Sequence, residues 1–539
     1  MLAAALLLGG LRESRLAAAA EAFVFAAIWL ERPALGPFAA WLPWLVWATL
    51  SASLSAQPFA AASFLARWSA VLALFSLTGS WERQERESWL KTMLTVTAIF
   101  SAAALWTGYP DFRAAMTGLL PPYYNYTTFA LSAGASAAAV WAFHSRTKPG
   151  VLRSAALAVS SLGVVCLLLA HGRGAQVGVL VAAIVWSGRR WGARAGLAGL
   201  AALAVAVGVV GAMSPTWRAD ISHHGSRYEG ARPDIWRGAA RIASDHPLLG
   251  VGPGSFGAAF RLHPAEARGL TAARWGMDTD YAHSEPLQVA AETGWMGLIL
   301  WLGALGASFS FLWGRASEEP AREAAAIAAV AMGVHLLVDN ILQLPGLAML
   351  FFSALAVAGA PTVSERRWPR AAAVAGMILA LVSWIPRALA DGDPARAAAI
   401  YPLDSHPRED LAYRAMAAGK ITEADALWAQ AEERGPYNAV YPWRRAQIAA
   451  AQGRWDAAEK AAARAAELEP FFLNDRVLRA EALAHLNRGG EAREELAGVL
   501  RTLQDRGERP AVRGYESTVW DFDRKEYDRV AALAGRAKR

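Results

Sequence analysis

The sequence predicts an all-α protein in two parts: a polytopic transmembrane helical bundle of about twelve spans over residues 1–389, and a helical-repeat domain over residues 390–539. Three observations predict it. The 539 residues are 55% hydrophobic but only 18% charged, against ~25% charged in ordinary soluble domains. The apolar residues fall in runs near the ~20 that a spanning helix needs. Beyond residue 390 the chain turns alanine-rich and charged and takes on a 34-residue period, so mean hydropathy over the whole chain is no higher than +0.22.

The candidate spans are, in order, 16–30, 37–55, 60–79, 90–108, 122–143, 152–171, 174–187, 195–213, 286–312, 323–342, 346–360 and 371–388. Met1 to Gly10 is apolar but too short to cross, and Arg12 and Arg15 interrupt it. A half-helix and a fragment of the first span both fit that stretch. Orientation follows from the short links, because cytoplasmic links retain Lys and Arg. Arg146, Lys148 and Arg153, then Arg189, Arg190 and Arg194, then Arg315 and Arg322, then Arg366, Arg367 and Arg370 all fall on one side when the spans are threaded in order, as do Arg83, Arg86 and Lys91. That side is predicted to be cytoplasmic. The links at 109–121, 172–174, 214–285 and 343–345, with everything after Arg387, are then outside. The side of the N-terminus stays open.

The single cysteine, Cys166, sits in an apolar run, so disulfides, thiolate zinc sites and CxxC chemistry are excluded. The net charge of +7 reflects link arginines rather than a basic stripe with interleaved aromatics, and argues against nucleic acid.

Candidate chemistry lies around the polar insert, about 214–285. Arg173 stands in His171-Gly172-Arg173-Gly174, a tight turn between two spans on the outer side. It either snorkels to headgroups or, with flanking glycines that let a ligand come close, clamps a phosphate. In the insert, Arg232-Pro233-Asp234-Ile235-Trp236 begins a helix with Arg232 and Trp236 on one face. The run His246-Pro247-Leu248-Leu249-Gly250-Val251-Gly252-Pro253-Gly254-Ser255-Phe256 breaks it. With no Lys-Ser/Thr after it, this reads as a set of turn formers rather than a phosphate cradle. His283 closes the insert, beside Asp280 and Tyr281 and just before Glu285-Pro286, where proline suits a first helical turn. A lone histidine is more often structural. With Glu292 further along the helix, a general-base role for His283 is the functional alternative, since an imidazole near pKa ~6.5 accepts an alcohol proton. Asp339, near the outer end of its span, is given a structural or acceptor-site role. Two arginines and a base on an outer membrane face fit transfer of a group from a lipid-linked diphosphate to a hydroxyl. The guanidinium groups would hold the leaving diphosphate. No acidic metal site is evident near them, so neither metal nor cofactor is expected.

In the tail, Ala424, Ala458 and Ala492, Gly419 and Gly453, and Pro402, Pro436 and Pro470 repeat at 34 residues, with Asn487 at the third glycine position. This is the tetratricopeptide period. Two or three such units make a short solenoid, whose role is either docking of a partner or a packing cap.

Together these motifs resemble the O-antigen ligase and polymerase superfamily of bacterial envelope glycosyltransferases. The likeness rests on the Arg-Gly turn, the Arg-x-x-x-Trp start of the large loop, its His-Pro-Leu-x-Gly-Val-Gly-Pro-Gly-x-Phe centre, its His-Ser-Glu end and the following Glu292-Thr293-Gly294-Trp295-Met296-Gly297. It covers about 1–390, with specific motifs in 122–345, and departs from the pattern at His171-Gly172, where many members place a Ser before the arginine. The resemblance implies an undecaprenyl-diphosphate-linked glycan donor bound by Arg173 and Arg232, a hydroxyl acceptor on lipid A-core, another lipid, a protein or a glycan, and activation of that acceptor by His283. It implies a bacterial inner-membrane protein with its loop and repeats on the periplasmic side. A ligase is the first expectation and a polymerase of lipid-linked repeat units the second. A scaffold or transporter is the alternative from another class, and it predicts that His283 is dispensable.

Overall fold

In the computed structural model the described residues are 14–107, 124–144, 150–170, 172–201, 205, 232–260, 279–314, 317–359, 365–390, 392–504 and 515–536. His171, Arg146, Lys148, Arg315, most of the 195–213 stretch and the insert segments 214–231 and 261–278 lie outside them. The apolar stretches are helices: α1 (Ser14–Glu31), α2 (Gly36–Ser53), α3 (Pro58–Gly79), α4 (Arg83–Thr107), α5 (Tyr124–Phe143), α6 (Val151–Leu169) and α7 (Arg173–Trp191). The insert contributes α8 (Arg232–Asp245) and the short α9 (Phe256–Phe260). Next come α10 (Glu285–Ser308), α11 (Pro320–Leu336), α12 (Pro345–Gly359) and α13 (Arg370–Ala390). Among the described residues, Pro58–Gly79, Arg83–Trp106, Val151–Leu169 and Glu285–Ser308 are long and apolar enough to cross a membrane, and Thr127–Phe143, Pro345–Gly359 and Arg370–Val382 are shorter apolar helices. This is a multi-pass membrane protein.

Helices α11 and α12 form the bundle's centre. Nearly every side chain of α12 is buried. On α11 a run of buried alanines, Ala324 to Ala326 with Ala328, Ala329 and Ala331, lets α5 and α7 approach closely. Trp41, Trp44 and Trp68 interlock with Phe352 beside them. Trp41 Nε1 donates to Ser308 Oγ at 3.0 Å, which satisfies a donor that lipid would leave bare. By contrast, α6 exposes Val165, Leu168 and Leu169, an apolar face suited to acyl chains.

Contacts sort the links into two ends. At one, Arg86 pairs with Glu319 at 2.7 Å and Arg189 with Glu323 at 3.0 Å. His144 Nε2 meets the Ser317 carbonyl at 3.1 Å. There too the backbones of 33–35 and 366–368 pair, Leu35 N donating to Arg366 O at 2.6 Å and Trp368 N to Pro33 O at 3.1 Å. At the other, the α2–α3 turn touches both the insert, through Ser55 and Ser255 hydroxyls 3.3 Å apart, and the C-terminal part, through Phe59 and Tyr401 with ring centroids 5.2 Å apart. The insert and the C-terminal helices therefore share an end, opposite the link arginines.

The stretch 323–342 is not helical throughout. Helix α11 stops at Leu336, and Val338 to Asn340 run as a loop into a single 3-10 turn, Ile341–Gln343. Asp339 Oδ1 accepts from Asn340 N at 2.9 Å, a local bond that competes with helix continuation.

Helix α10 is broken at Gly294 (φ 74°, ψ 176°), a conformation only glycine takes without strain. A break strands carbonyls that a continuous helix would satisfy. Val251 N donates to Ala291 O and Gly252 N to Glu292 O, both at 3.0 Å. Ser51 Oγ reaches Glu292 O at 3.1 Å and Trp47 Nε1 reaches Thr293 O at 3.0 Å. In return Trp295 N donates to Pro247 O at 2.8 Å. The glycine-rich run is thus committed to the break in α10: Gly250, Gly252 and Gly254 all have positive φ. Gly294→Ala would set a Cβ 2.2 Å from Leu248 O. We expect it to destabilise the protein by about 1–3 kcal/mol, read as a lower melting temperature in detergent.

After the linker helix α14 (Pro394–Ile400) come three helical pairs, α15 (His406–Ala417) with α16 (Ile421–Arg434), α17 (Val440–Ala451) with α18 (Trp455–Leu468), and α19 (Leu473–His485) with α20 (Gly489–Gln504). Two further helices, α21 (Tyr515–Trp520) and α22 (Arg524–Arg536), follow. The second helices begin at 421, 455 and 489, 34 residues apart each time. Gly419, Gly453 and Asn487 occupy the turns at φ 72°, 70° and 61°, and asparagine tolerates that conformation best after glycine. Ion pairs repeat as well. Asp425 takes Arg445 and Arg454 at 3.3 and 3.6 Å, and Glu459, 34 residues on, takes Arg479 and Arg488 at 3.4 and 3.9 Å. These part-exposed pairs each contribute little, but they fix how one pair stacks on the next.

Candidate active site

His283 stands at the mouth of α10 with φ 48°, a left-handed value uncommon for a side-chain-bearing residue. Its surroundings hold it there. Trp236 Nε1 donates to the His283 carbonyl at 3.2 Å, and Ala282 N donates to Gln288 Oε1 at 2.7 Å. The imidazole Nδ1 faces Asp339 Oδ1 at 3.4 Å. With Nδ1–H directed at a carboxylate, Nε2 is left as the basic nitrogen, on a side chain still 21% exposed.

Asp339 is the hub. Arg232 Nη2 lies 3.4 Å from its Oδ2, and His335 Nε2 4.0 Å from the same oxygen. Burial by itself would push the Asp339 carboxyl up. The His283 hydrogen bond and the Arg232 charge outweigh burial and hold it at about 2, so Asp339 is an anion throughout the working pH range. One carboxylate thereby faces both the candidate base and a candidate phosphate-binding cation.

Arg232 and Trp236, one turn apart on α8, reach the same segment, Arg232 through Asp339 and Trp236 through the His283 carbonyl. Arg173 is the first residue of α7 and is exposed. Its turn lies on His335: a Cβ at Gly174 would fall 2.5 Å from His335 Cδ2, which is why no larger residue fits there. The Arg173 turn is in this way one side chain removed from Asp339.

The remaining sequence candidates sit differently. Asp280 is exposed, against Gly257 of α9. Tyr281 forms a backbone turn with Thr279 Oγ1, accepting from it at 2.7 Å and donating to it at 3.1 Å. Glu292 is buried, and its Oε1 accepts from Gln288 Nε2 at 2.8 Å and Phe256 N at 3.4 Å. It secures the glycine-rich run rather than bonding His283. Sequence reasoning passed over His335 and Glu285. The i, i+4 spacing of His335 and Asp339 was the signal for the first; the second had none beyond its place next to Pro286.

Residues 156–302, from α6 into α10, match the family model for O-antigen ligase. The match supports the O-antigen ligase/polymerase superfamily for this stretch. No curated protein matches the chain. The O-antigen ligase match takes in Arg173, Arg232, Trp236, His283 and Glu292, while Asp339 lies beyond it. The match supports a ligase- or polymerase-like membrane glycosyltransferase, a family that implies lipid-linked glycan substrates.

Proposed function

We propose that this protein transfers a glycan from undecaprenyl diphosphate to an acceptor hydroxyl at the end of the bundle that carries the insert. One observation carries the reading: His283 and Arg232 share the carboxylate of Asp339. In the step proposed, the acceptor O–H gives its proton to His283 Nε2 as its oxygen bonds to the anomeric carbon. The bond from that carbon to the diphosphate breaks, and the electron pair leaves on a diphosphate oxygen held by Arg232 and Arg173. Guanidinium suits this because it meets phosphate oxygens with paired donors.

The opposite end, with Arg86, Arg189, Arg322, Arg366, Arg367 and Arg370, is assigned to the cytoplasm by its charge. Insert and C-terminal helices then face the periplasm from the inner membrane. We assign the three helical pairs to a tetratricopeptide-like unit that docks a partner. The acceptor chosen first is a hydroxyl on a lipid or protein, giving a ligase. A growing lipid-linked glycan as acceptor would give a polymerase by the same chemistry.

The test uses purified protein in detergent with an undecaprenyl-diphosphate-linked glycan and a panel of acceptors. Wild type is expected to release undecaprenyl diphosphate, and Arg232→Ala to need about 10- to 100-fold more donor for half-maximal rate. A single glycan on a new acceptor marks a ligase and a ladder of lipid-linked lengths a polymerase. An unchanged donor requirement in Arg232→Ala would remove it from donor binding.

A further inference from the structure

Asp339 sits on a loop, and a loop does not by itself hold a carboxylate to the tolerance that catalysis needs. Its contact to His283 is long, at 3.4 Å, too weak to locate the loop. Two ionisable side chains that the transfer step does not use grip the same loop three and four residues further on. Glu285, fully buried, accepts the Leu342 N–H at Oε1, 2.8 Å away. Arg67, about 14 Å along α3 from its start, donates from Nη1 to the Gln343 carbonyl at 2.9 Å. A carboxyl oxygen on an N–H and a guanidinium on the neighbouring C=O each meet the matching peptide dipole. Glu285 is buried and Arg67 half-buried, and ionisable groups withdrawn from water are costly and therefore functional candidates.

Glu285 also follows His283 by two residues. The segment 283–285 and the loop 339–342 are thus cross-linked twice, once through the two candidate catalytic side chains and once through Glu285 and Leu342. We propose that Glu285 and Arg67 are positioning residues for glycan transfer, bracing the 339–343 loop from α10 and α3 so that Asp339 meets His283 and Arg232. This rests on the role given above to His283 and Asp339. Glu285→Leu removes the acceptor at similar volume, frees the loop, and lets Asp339 withdraw from the imidazole. Glu285→Gln keeps an acceptor for Leu342 N–H.

The experiment is a double-mutant cycle on transfer rate in the full-length protein, using wild type, Glu285→Leu, Glu285→Gln, Asp339→Asn, Glu285→Leu/Asp339→Asn and His283→Asn. A displacement near 1 Å costs about 10²-fold in rate, which is the loss expected for Glu285→Leu, with Glu285→Gln recovering most of it. If Glu285 acts through Asp339, the double variant is no slower than Asp339→Asn within about a factor of two. A residue that only holds the bundle together would multiply its loss onto that of Asp339→Asn, and that result overturns the proposal. So does a wild-type rate in Glu285→Leu while His283→Asn is impaired, which leaves the reading of the site standing. A His283→Asn variant as fast as wild type would sink that reading and the brace with it. Should Glu285→Leu fail to fold, Arg67→Met probes the brace from the other side and must show the same non-additivity.

Discussion

His283→Asn is expected to slow release of undecaprenyl diphosphate by about 10²- to 10⁴-fold, the usual contribution of a positioned general base, while donor binding and melting temperature stay close to wild type. Asparagine is the better replacement because the backbone at 283 has φ 48°. Alanine there adds strain of order 1–3 kcal/mol and mixes a folding effect into the rate, whereas asparagine tolerates the left-handed region. The loss should fall on turnover rather than on donor affinity, because the donor contacts assigned to Arg232 and Arg173 are untouched. Steady-state rates against donor concentration separate the two. A scaffold or transporter predicts no change at all, so a variant as active as wild type would move the chemistry away from this histidine.

Asp339→Asn is expected to lose about as much, 10²- to 10⁴-fold, for two reasons that act together. An amide oriented with its oxygen toward His283 turns its NH2 toward Arg232, and the reverse orientation presents a donor to Nδ1 and inverts the imidazole tautomer. Either way one partner of the hub is lost. Stability should also change its pH dependence. With the Asp339 carboxyl held at about 2 in the fold against ~3.9 when unfolded, the native state favours the anion. That stabilisation is fully present above pH ~4 and is lost as pH falls toward 2. Wild type should therefore lose more of its melting temperature than Asp339→Asn between pH 5 and pH 3. In the range from pH 5 to 8 Asp339 does not titrate, so any acid limb in the wild-type rate profile belongs to another group.

Much of this was legible in the chain, for stated reasons. Hydrophobic runs with arginine-bearing links announce helices and their ends, because lipid leaves backbone groups no other partner. The 34-residue period announced the spacing of the C-terminal pairs even where Asn487 replaces glycine. The site was half legible. Arg232 and Trp236 lay on one face, as i, i+4 spacing requires, but that Asp339 would join Arg232 to His283 depended on where α11 stops, and Asp339 was read only as a structural or acceptor-site residue. Glu292 and Asp280 were chosen for closeness in sequence to His283. In space, Glu292 turns to the glycine-rich run, because a helix carries successive residues to different faces, and Asp280, in the bend before α10, lies against Gly257 of α9. Glu285 and Arg67 gave no signal, since the partner of each is a backbone group of a distant loop.

The break at Gly294 gives α10 two allegiances. Before it, Leu287 and Ala291 pack with Ile235, Ile242, Val251 and Phe256 in a small outer core, while Val289 between them joins the main bundle, as Trp301 and Ala304 do after it. The segment that carries the histidine is therefore shared between the outer core and the frame, held on one side by the insert and on the other by Val289. A change that remodels the outer core is therefore felt in the frame as well, through Val289 and through the bonds of Ser51 and Trp47 to the broken turn.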